Sequence, residues 1–276
     1  MSDAYTEIMA LRGMEEFKAL ARRLSCLCEN KRRLKLENVL IPHYLFTEAA
    51  GSGVSTHLQL FARMLDEMQL FTFQGEKRVV EQLLLPSIQP MLRAVRAASG
   101  MTGAFRGILG VELPDADEGR LRGLSQLMDF AEDRQGDILF VFIAPMKNGE
   151  APAELVKRLS LALPLEVVRF PRLSDGDMCA YARDFVQRRG FSLSAGAEQY
   201  LLELMPKLQA IAEFDGLQSL ENMVDLLVYH ACSTQNLDVP IIDEAALKSL
   251  MEQEGYLRQL SVSHGTVRRI GFGGGK

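Results

Sequence analysis

The feature that most constrains the fold is the strand-like segment DILFVFIA at residues 137–144, which is apolar without interruption after Asp137. A strand with one solvent-exposed face alternates apolar and polar residues, whereas a strand covered on both faces is apolar throughout. The run therefore predicts an inner strand of a parallel sheet with helices on each side. Shorter strand patterns at 44–47, 108–111 and 165–170 are separated by helical patterns. This alternation predicts an α/β fold with a doubly wound parallel sheet.

Beyond Leu173 the pattern changes to one helix after another. Apolar residues recur there at three- and four-residue steps, which is typical of amphipathic helices. We therefore expect three parts. They are an α/β domain over 1–172 that includes an N-terminal helix, a small all-α lid domain over 173–260, and a flexible basic and glycine-rich tail over 261–276.

Three helical patterns are also expected within the first part. Apolar residues from Met14 to Leu27 form one stripe of a helix that opens the fold, and the polar run 29–33 ends it. A second helical stretch spans about 81–98, and a charged helix lies at 120–132.

Composition narrows the classes of function. The chain has 31 Lys and Arg against 36 Asp and Glu, a net charge of −5, so no overall positive field favours nucleic acid or an anionic membrane. No segment approaches the roughly 18 apolar residues of a membrane span. The four cysteines and four histidines lack the spacing of metal ligands. We therefore expect a cytoplasmic protein with no metal site and with neither nucleic acid nor membrane as partner.

A glycine-containing segment follows the first strand pattern and precedes a helical one. Phosphate-binding loops with the pattern G-x-x-x-x-G-K-[ST] need glycines for the turn, a lysine for the outer phosphates and a hydroxyl for magnesium. Here Glu48 stands at the first glycine and Val54 at the lysine, while Ser55 keeps the hydroxyl. The candidate nucleotide-binding residues are Gly51, Ser52, Gly53, Val54, Ser55 and Thr56. The alternative is that the glycines only make a strand-to-helix turn.

Several stretches resemble the AAA+ superfamily and, within it, the family of the red-type Rubisco activase CbbX and the sporulation protein SpoVK. They are the entry segment with Gly13–Lys18 and Lys31–Arg33, the loop and helix of Tyr44–Arg63, the strand region Leu124–Pro145 and the ending Arg268–Phe272. The resemblance implies a P-loop NTPase fold with a helical lid. It also implies binding of ATP or ADP with magnesium and assembly into a ring.

The acidic pair that this family carries at the end of its Walker B strand is not matched. The corresponding place reads Gly110-Val-Glu-Leu113, so Glu112 is the only remnant of the pair. The alternative is an ordinary glutamate at a strand end. The family's polar sensor-1 position falls near Ala144–Met146.

Three further elements of the family are also unmatched. The arginine finger is expected where the chain has Leu161–Leu163, with Arg158 a little earlier. The sensor-2 arginine is expected near Gln218, and the peptide-threading loop at Leu83–Ser87 contains no aromatic residue. The resemblance, with these departures, implies a fold that has lost its catalytic residues.

We therefore expect a catalytically degenerate AAA+ ATPase-like protein, a pseudo-ATPase without catalytic residues. It would act as an interaction or regulatory subunit, either in a ring with itself or beside an active AAA+ paralogue. One alternative is a nucleotide sensor that binds ATP or ADP without efficient hydrolysis. The other is an active protein-remodelling ATPase, which would need an unconventional cation at the phosphates.

Overall fold

A computed structural model of the chain gives its fold. It describes residues 2–37, 39–49, 52–71, 107–113, 124–133, 137–146, 151–211, 214, 216–234 and 239–252. The chain divides into two compact units, Met1–Arg172 and Leu173–Lys276. The predicted helix at 81–98, the threading loop and the tail over 261–276 lie outside the described residues.

The first unit contains a sheet of four parallel strands in the order β2-β3-β1-β4. The strands are β1 (His43–Glu48), β2 (Gly107–Glu112), β3 (Ile138–Pro145) and β4 (Leu165–Phe170). β1 pairs with β3 on one side and with β4 on the other. All side chains of β3 but the last residue are buried, which is why the sequence there is continuously apolar. The predicted parallel sheet is confirmed.

Five helices accompany this sheet in the described part of the chain: α1 (Asp3–Ala10), α2 (Glu15–Leu34), α3 (Val54–Glu67), α4 (Leu124–Asp133) and α5 (Ala153–Ala162). They alternate with the strands from β1 onward. α4 begins within the charged helix that the sequence predicts at 120–132, of which 120–123 lie outside the described residues.

Two expectations about the N-terminal region are wrong. α1 precedes α2, so α2 does not open the fold, and the Ser2 hydroxyl caps α1 by accepting a hydrogen bond from the Tyr5 N–H (3.0 Å). The polar run 29–33 lies inside α2 and does not end it. Charged residues on the solvent-exposed side of a helix do not interrupt it. α2 ends instead where Lys35 adopts a left-handed backbone conformation (φ 54°).

The two faces of the sheet are packed differently. On one face, Phe46 contacts Phe170 with ring centroids 4.9 Å apart, and Phe17 of α2 and Phe61 of α3 complete an aromatic cluster. On the other face, Leu45 belongs to a largely aliphatic cluster that includes side chains of α5. β1 is therefore buried from both sides, and the turn that follows it rests on the aromatic cluster.

A buried histidine lies at the start of β1. The Nδ1 atom of His43 accepts a hydrogen bond from the Phe140 N–H (3.1 Å). Burial lowers the pKa of His43 to about 4, because the charged imidazolium would lose its hydration. His43 is thus neutral near pH 7 and joins β1 to β3.

The second unit is helical, as predicted. Its described helices are α6 (Asp175–Arg188), α7 (Ala195–Gln209), α8 (Gly216–Thr234) and α9 (Glu244–Glu252). A pair of two-residue parallel strands, β5 (Ser192–Leu193) and β6 (Ile241–Ile242), is an addition that the sequence does not predict. In the described part of the chain, no helix is long and apolar enough to cross a membrane.

Candidate nucleotide site

The candidate site is the turn between β1 and α3, at the carboxyl edge of the sheet. Both neighbouring strands hold its start: the Met146 N–H donates to the Glu48 carbonyl (2.8 Å), and the Ala49 N–H donates to the Phe170 carbonyl (3.0 Å). Ligands of parallel α/β sheets bind at this edge. The strand order therefore places the turn where a phosphate-binding loop would lie.

Gly53 determines the geometry of the turn. The Ser52 N–H first donates to the Ala49 carbonyl (3.1 Å), and Gly53 then adopts a left-handed conformation (φ 74°). L-residues with a Cβ adopt this conformation only at a cost, so glycine suits the position. The Gly53 carbonyl accepts from the N–H groups of Thr56 (3.0 Å) and His57 (3.2 Å), which starts α3. No side chain caps this helix.

Val54 stands at the position of the motif's lysine, and its side chain is only 4% exposed. It belongs to the same buried stripe of α3 as Leu58 and Phe61. Val54 therefore supplies packing to the core and no charge to the turn. Of the other candidate residues, Thr56 is exposed, whereas Gly51 and the side chain of Ser55 lie outside the described residues.

His57 lies directly beneath the turn, a position that the sequence analysis did not single out. Its ring packs against Phe170 (centroids 5.2 Å apart) and Phe17 (5.5 Å). A Cβ built on Gly53 would lie 3.7 Å from Cε1 of this ring. The available signal was helical spacing, because His57 follows Val54 by three residues and precedes Phe61 by four.

Two polar side-chain atoms at the turn are buried. The structure shows no hydrogen-bond partner among the described residues for the Ser52 hydroxyl or for Nδ1 of His57. Burial lowers the pKa of His57 to about 4, because the charged imidazolium would lose its hydration. His57 is therefore neutral near pH 7 and adds no positive charge for a polyphosphate.

Glu112 ends β2 at the same edge of the sheet. It pairs with Ile143 of β3, and the next residue, Leu113, donates its N–H to the Ile143 carbonyl (2.7 Å). Because β3 lies between β2 and β1, Glu112 is two strands away from the turn, roughly 10 Å in the direction across the sheet. The topology thus brings Glu112 and the turn to one edge without making them neighbours.

Solved structures with a similar fold include proteins from two different organisms. A variant of RuvB from Thermotoga maritima matches with a TM-score of 0.53 and 11% identity, over 87% of this chain and 69% of that chain. C. elegans PCH-2 matches with a TM-score of 0.52 and 10% identity, over 88% of this chain and 68% of that chain. Both are AAA+ ATPases. The chain has the AAA+ fold.

At these identities the similarity is one of fold alone. No protein-family model matches the chain, and no curated protein matches it either. The comparisons therefore show the AAA+ fold but assign the chain to no family within it. The resemblance to CbbX and SpoVK stays a prediction.

The AAA+ fold allows the remaining expected positions to be located. Ala144 is buried at the end of β3, and Pro145 is exposed beside Glu48 of β1. Leu161 is exposed at the end of α5, while Arg158 of that helix donates to the Glu154 carboxylate (2.8 Å). Gln218 lies on α8 and donates to the Asn222 side chain (3.3 Å). None of these described side chains supplies an unpaired arginine at its expected position.

Proposed function

We propose that this protein is a catalytically degenerate AAA+ ATPase-like subunit that acts through protein contacts. The observation that carries the proposal is the burial of Val54 at the lysine position of the turn. A charge-assisted hydrogen bond to phosphate contributes roughly 1.5–3 kcal/mol, and the transition state of phosphoryl transfer depends on it further. Because Val54 packs into the core at the lysine position, the turn has backbone groups that can face a phosphate but lacks the cation that would bind it.

The environment of the turn supports the same proposal. Glu48 places a carboxylate at the edge where the polyphosphate would lie, and Glu112 is the only acidic remnant of the Walker B pair. A chain that keeps the sheet order of the fold but lacks the charged residues of the nucleotide site can still assemble with other subunits. AAA+ domains assemble head to tail, so such a copy can complete or regulate a ring of itself or of an active paralogue.

The direct test combines three measurements on the purified protein. We expect no ATP turnover and no more than weak binding of magnesium ATP by calorimetry. Native mass spectrometry should show either a self-assembled oligomer or a stable complex with an AAA+ paralogue added in equal amount. A monomer that forms no complex with such a paralogue contradicts the scaffold role. Turnover that a Ser55→Ala substitution abolishes supports the active ATPase instead.

A second candidate function is a nucleotide sensor. The observation in its favour is the uncapped start of α3, where Gly53 turns the chain so that the first N–H groups of the helix have no capping side chain. Ligand at about a hundredfold excess over its dissociation constant stabilises a protein by about 2.7 kcal/mol. Thermal stabilisation by magnesium ATP or ADP without turnover would therefore favour the sensor. An unchanged midpoint excludes it.

A further inference from the structure

Four cations at the end of α2 lack acidic partners. Lys31, Arg32, Arg33 and Lys35 fall within five positions, and none lies within 4 Å of a described carboxylate. Several other cations of the first unit are paired: Arg23 pairs with Glu166, and Arg63 pairs with Glu7 and Glu67. The end of α2 therefore carries positive charge that is not neutralised within the described structure.

Three leucines beside these cations are exposed. Leu34, Leu36 and Leu40 are 59%, 45% and 63% exposed. Single exposed leucines are common on soluble proteins, and Leu161, which is 80% exposed, is an example. Three leucines within seven positions next to unpaired cations are typical of a binding surface. We call this set of residues the α2-end surface: Lys31, Arg32, Arg33, Leu34, Lys35, Leu36 and Leu40.

Hydrogen bonds hold parts of this surface in place. The Lys31 ammonium donates to the Gln69 carbonyl (2.9 Å), and the Arg33 guanidinium donates to the Asn30 side chain (2.8 Å). Lys35 has a left-handed backbone, which costs a residue with a Cβ about 1 kcal/mol, and the Leu36 N–H closes the helix on the Lys31 carbonyl (3.0 Å). Ordered cations need less reorganisation to bind a partner.

A pocket adjoins the surface. It has a volume of about 480 Å³, and Arg32 forms part of its wall together with Ser25, Cys28 and Met68 and with the acidic residues Asp3, Glu29 and Glu67. The three acidic residues make the pocket unsuited to a carboxylate, so the side chain of a bound segment that fits there is an apolar one. Arg32 therefore belongs both to the cations of the α2-end surface and to the wall of this pocket.

We propose that the α2-end surface binds an acidic, leucine-bearing segment of a partner protein. Carboxylates of the segment pair with the four cations, and its leucines cover Leu34, Leu36 and Leu40. Charge complementarity identifies the segment as acidic. A protein fits better than an anionic membrane, because hydrogen bonds fix two of the cations and the chain as a whole carries a charge of −5.

The test uses a short fluorescent peptide of glutamate and leucine with the full-length protein. Anisotropy should show binding that weakens as salt is added. The double variant Leu34→Ser/Leu40→Ser and the single variant Arg33→Glu should each weaken binding by about tenfold or more. Leu161→Ser is the matched control, because it removes an exposed leucine whose neighbour Arg158 is already paired. The affinity of Leu161→Ser for the peptide should equal that of the wild type.

Lys35→Gly separates a binding role from a structural one. Glycine relieves the left-handed strain, so the thermal midpoint should stay the same or rise, while peptide binding falls severalfold. Equal binding by Lys35→Gly, the leucine variant and the wild type overturns the proposal. So does the absence of peptide binding by the wild type. Binding to vesicles of phosphatidylcholine and phosphatidylserine, with no binding to the peptide, assigns the surface to a membrane and rejects a protein partner.

Discussion

The start of α3 and the helix starts of the second unit are built differently. Ser174 caps α6 by accepting from the Asp177 N–H (3.1 Å), and Ser194 caps α7 by accepting from the Ala197 N–H (3.2 Å). Asp243 does the same for α9 through the Ala246 N–H (2.9 Å). α3 instead begins at Gly53 with no capping side chain and lies on a buried imidazole. Three helix starts of the second unit thus have a side-chain cap from within that unit.

This difference separates what topology supplies from what side chains supply. The parallel sheet and the left-handed Gly53 place a strand-to-helix turn at the edge where ligands of such sheets bind. The chemistry of such a turn requires a lysine and an acidic pair, and the chain has valine and a single glutamate at those places. The backbone of the turn and its charged groups therefore depend on different residues and can be tested separately.

The largest expected effect is acid destabilisation of the first unit. Burial lowers the pKa of His43 and of His57 from 6.5 to about 4 in the folded chain. Between these values the unfolded chain binds more protons, so stability is greatest above pH 6.5 and falls as the pH decreases toward 4. The loss is on the order of 3 kcal/mol for each histidine. Urea unfolding at a series of pH values measures it.

A His57→Phe variant provides the control for this pH dependence. Phenylalanine keeps an aromatic ring against Phe17 and Phe170 but does not titrate. The variant should lose about half of the decrease in stability between pH 6.5 and pH 4. A wild-type stability that is constant across this range would show that the two imidazoles are not buried as described.

The next largest effect is expected from Val54→Lys. An ammonium group at this buried position has to leave water or pull the start of α3 away from the core, so the free energy of unfolding should fall by about 2–4 kcal/mol. Val239→Lys is the matched control, since Val239 is exposed and should tolerate lysine with little change. Equal stability of the two variants would mean that position 54 can face the turn. Chemical unfolding followed by circular dichroism distinguishes these outcomes.

Much of the fold was predictable because it follows from patterns within single segments. The strand at Leu165–Phe170 has the predicted bounds, and β1 extends the predicted 44–47 by one residue at each end. The burial of Val54 could also be predicted from the sequence, because the apolar stripe of α3 extends back to this residue. The two-residue strands β5 and β6 could not, because each forms only by pairing with a segment far away in sequence.

α1 and α5 were missed for a different reason. α5 buries only Leu155 and Leu159 among its residues, and this pair of apolar residues is too short a stripe to distinguish a helix from a connection. The position of the candidate turn could be predicted from its glycines, but His57 beneath it could not be assigned a role. That role depends on the Phe170 ring, which arrives from a strand more than a hundred residues away.

A smaller effect tests the backbone of the turn. Gly53 and Gly190 both have left-handed backbones, with φ of 74° and 82°. Alanine at either place should cost between about 1 and 2 kcal/mol, because the added Cβ meets only ordinary contacts or open space and the backbone strain alone remains. Gly176→Ala, within α6, should instead stabilise slightly. Thermal unfolding of the three variants measures these changes. An unchanged stability of Gly53→Ala would contradict the left-handed conformation of Gly53.

The smallest effect concerns the caps of the second unit. Ser194→Ala removes the acceptor for the Ala197 N–H at the start of α7 and should lower the free energy of unfolding by about 1 kcal/mol. Ser194→Asp should retain most of the stability, since its carboxylate accepts the same hydrogen bond and interacts favourably with the helix dipole. Hydrogen exchange of the first-turn amides of α7 gives a local measurement. Unchanged exchange in Ser194→Ala would mean that these amides do not depend on a cap, which would remove the contrast with α3.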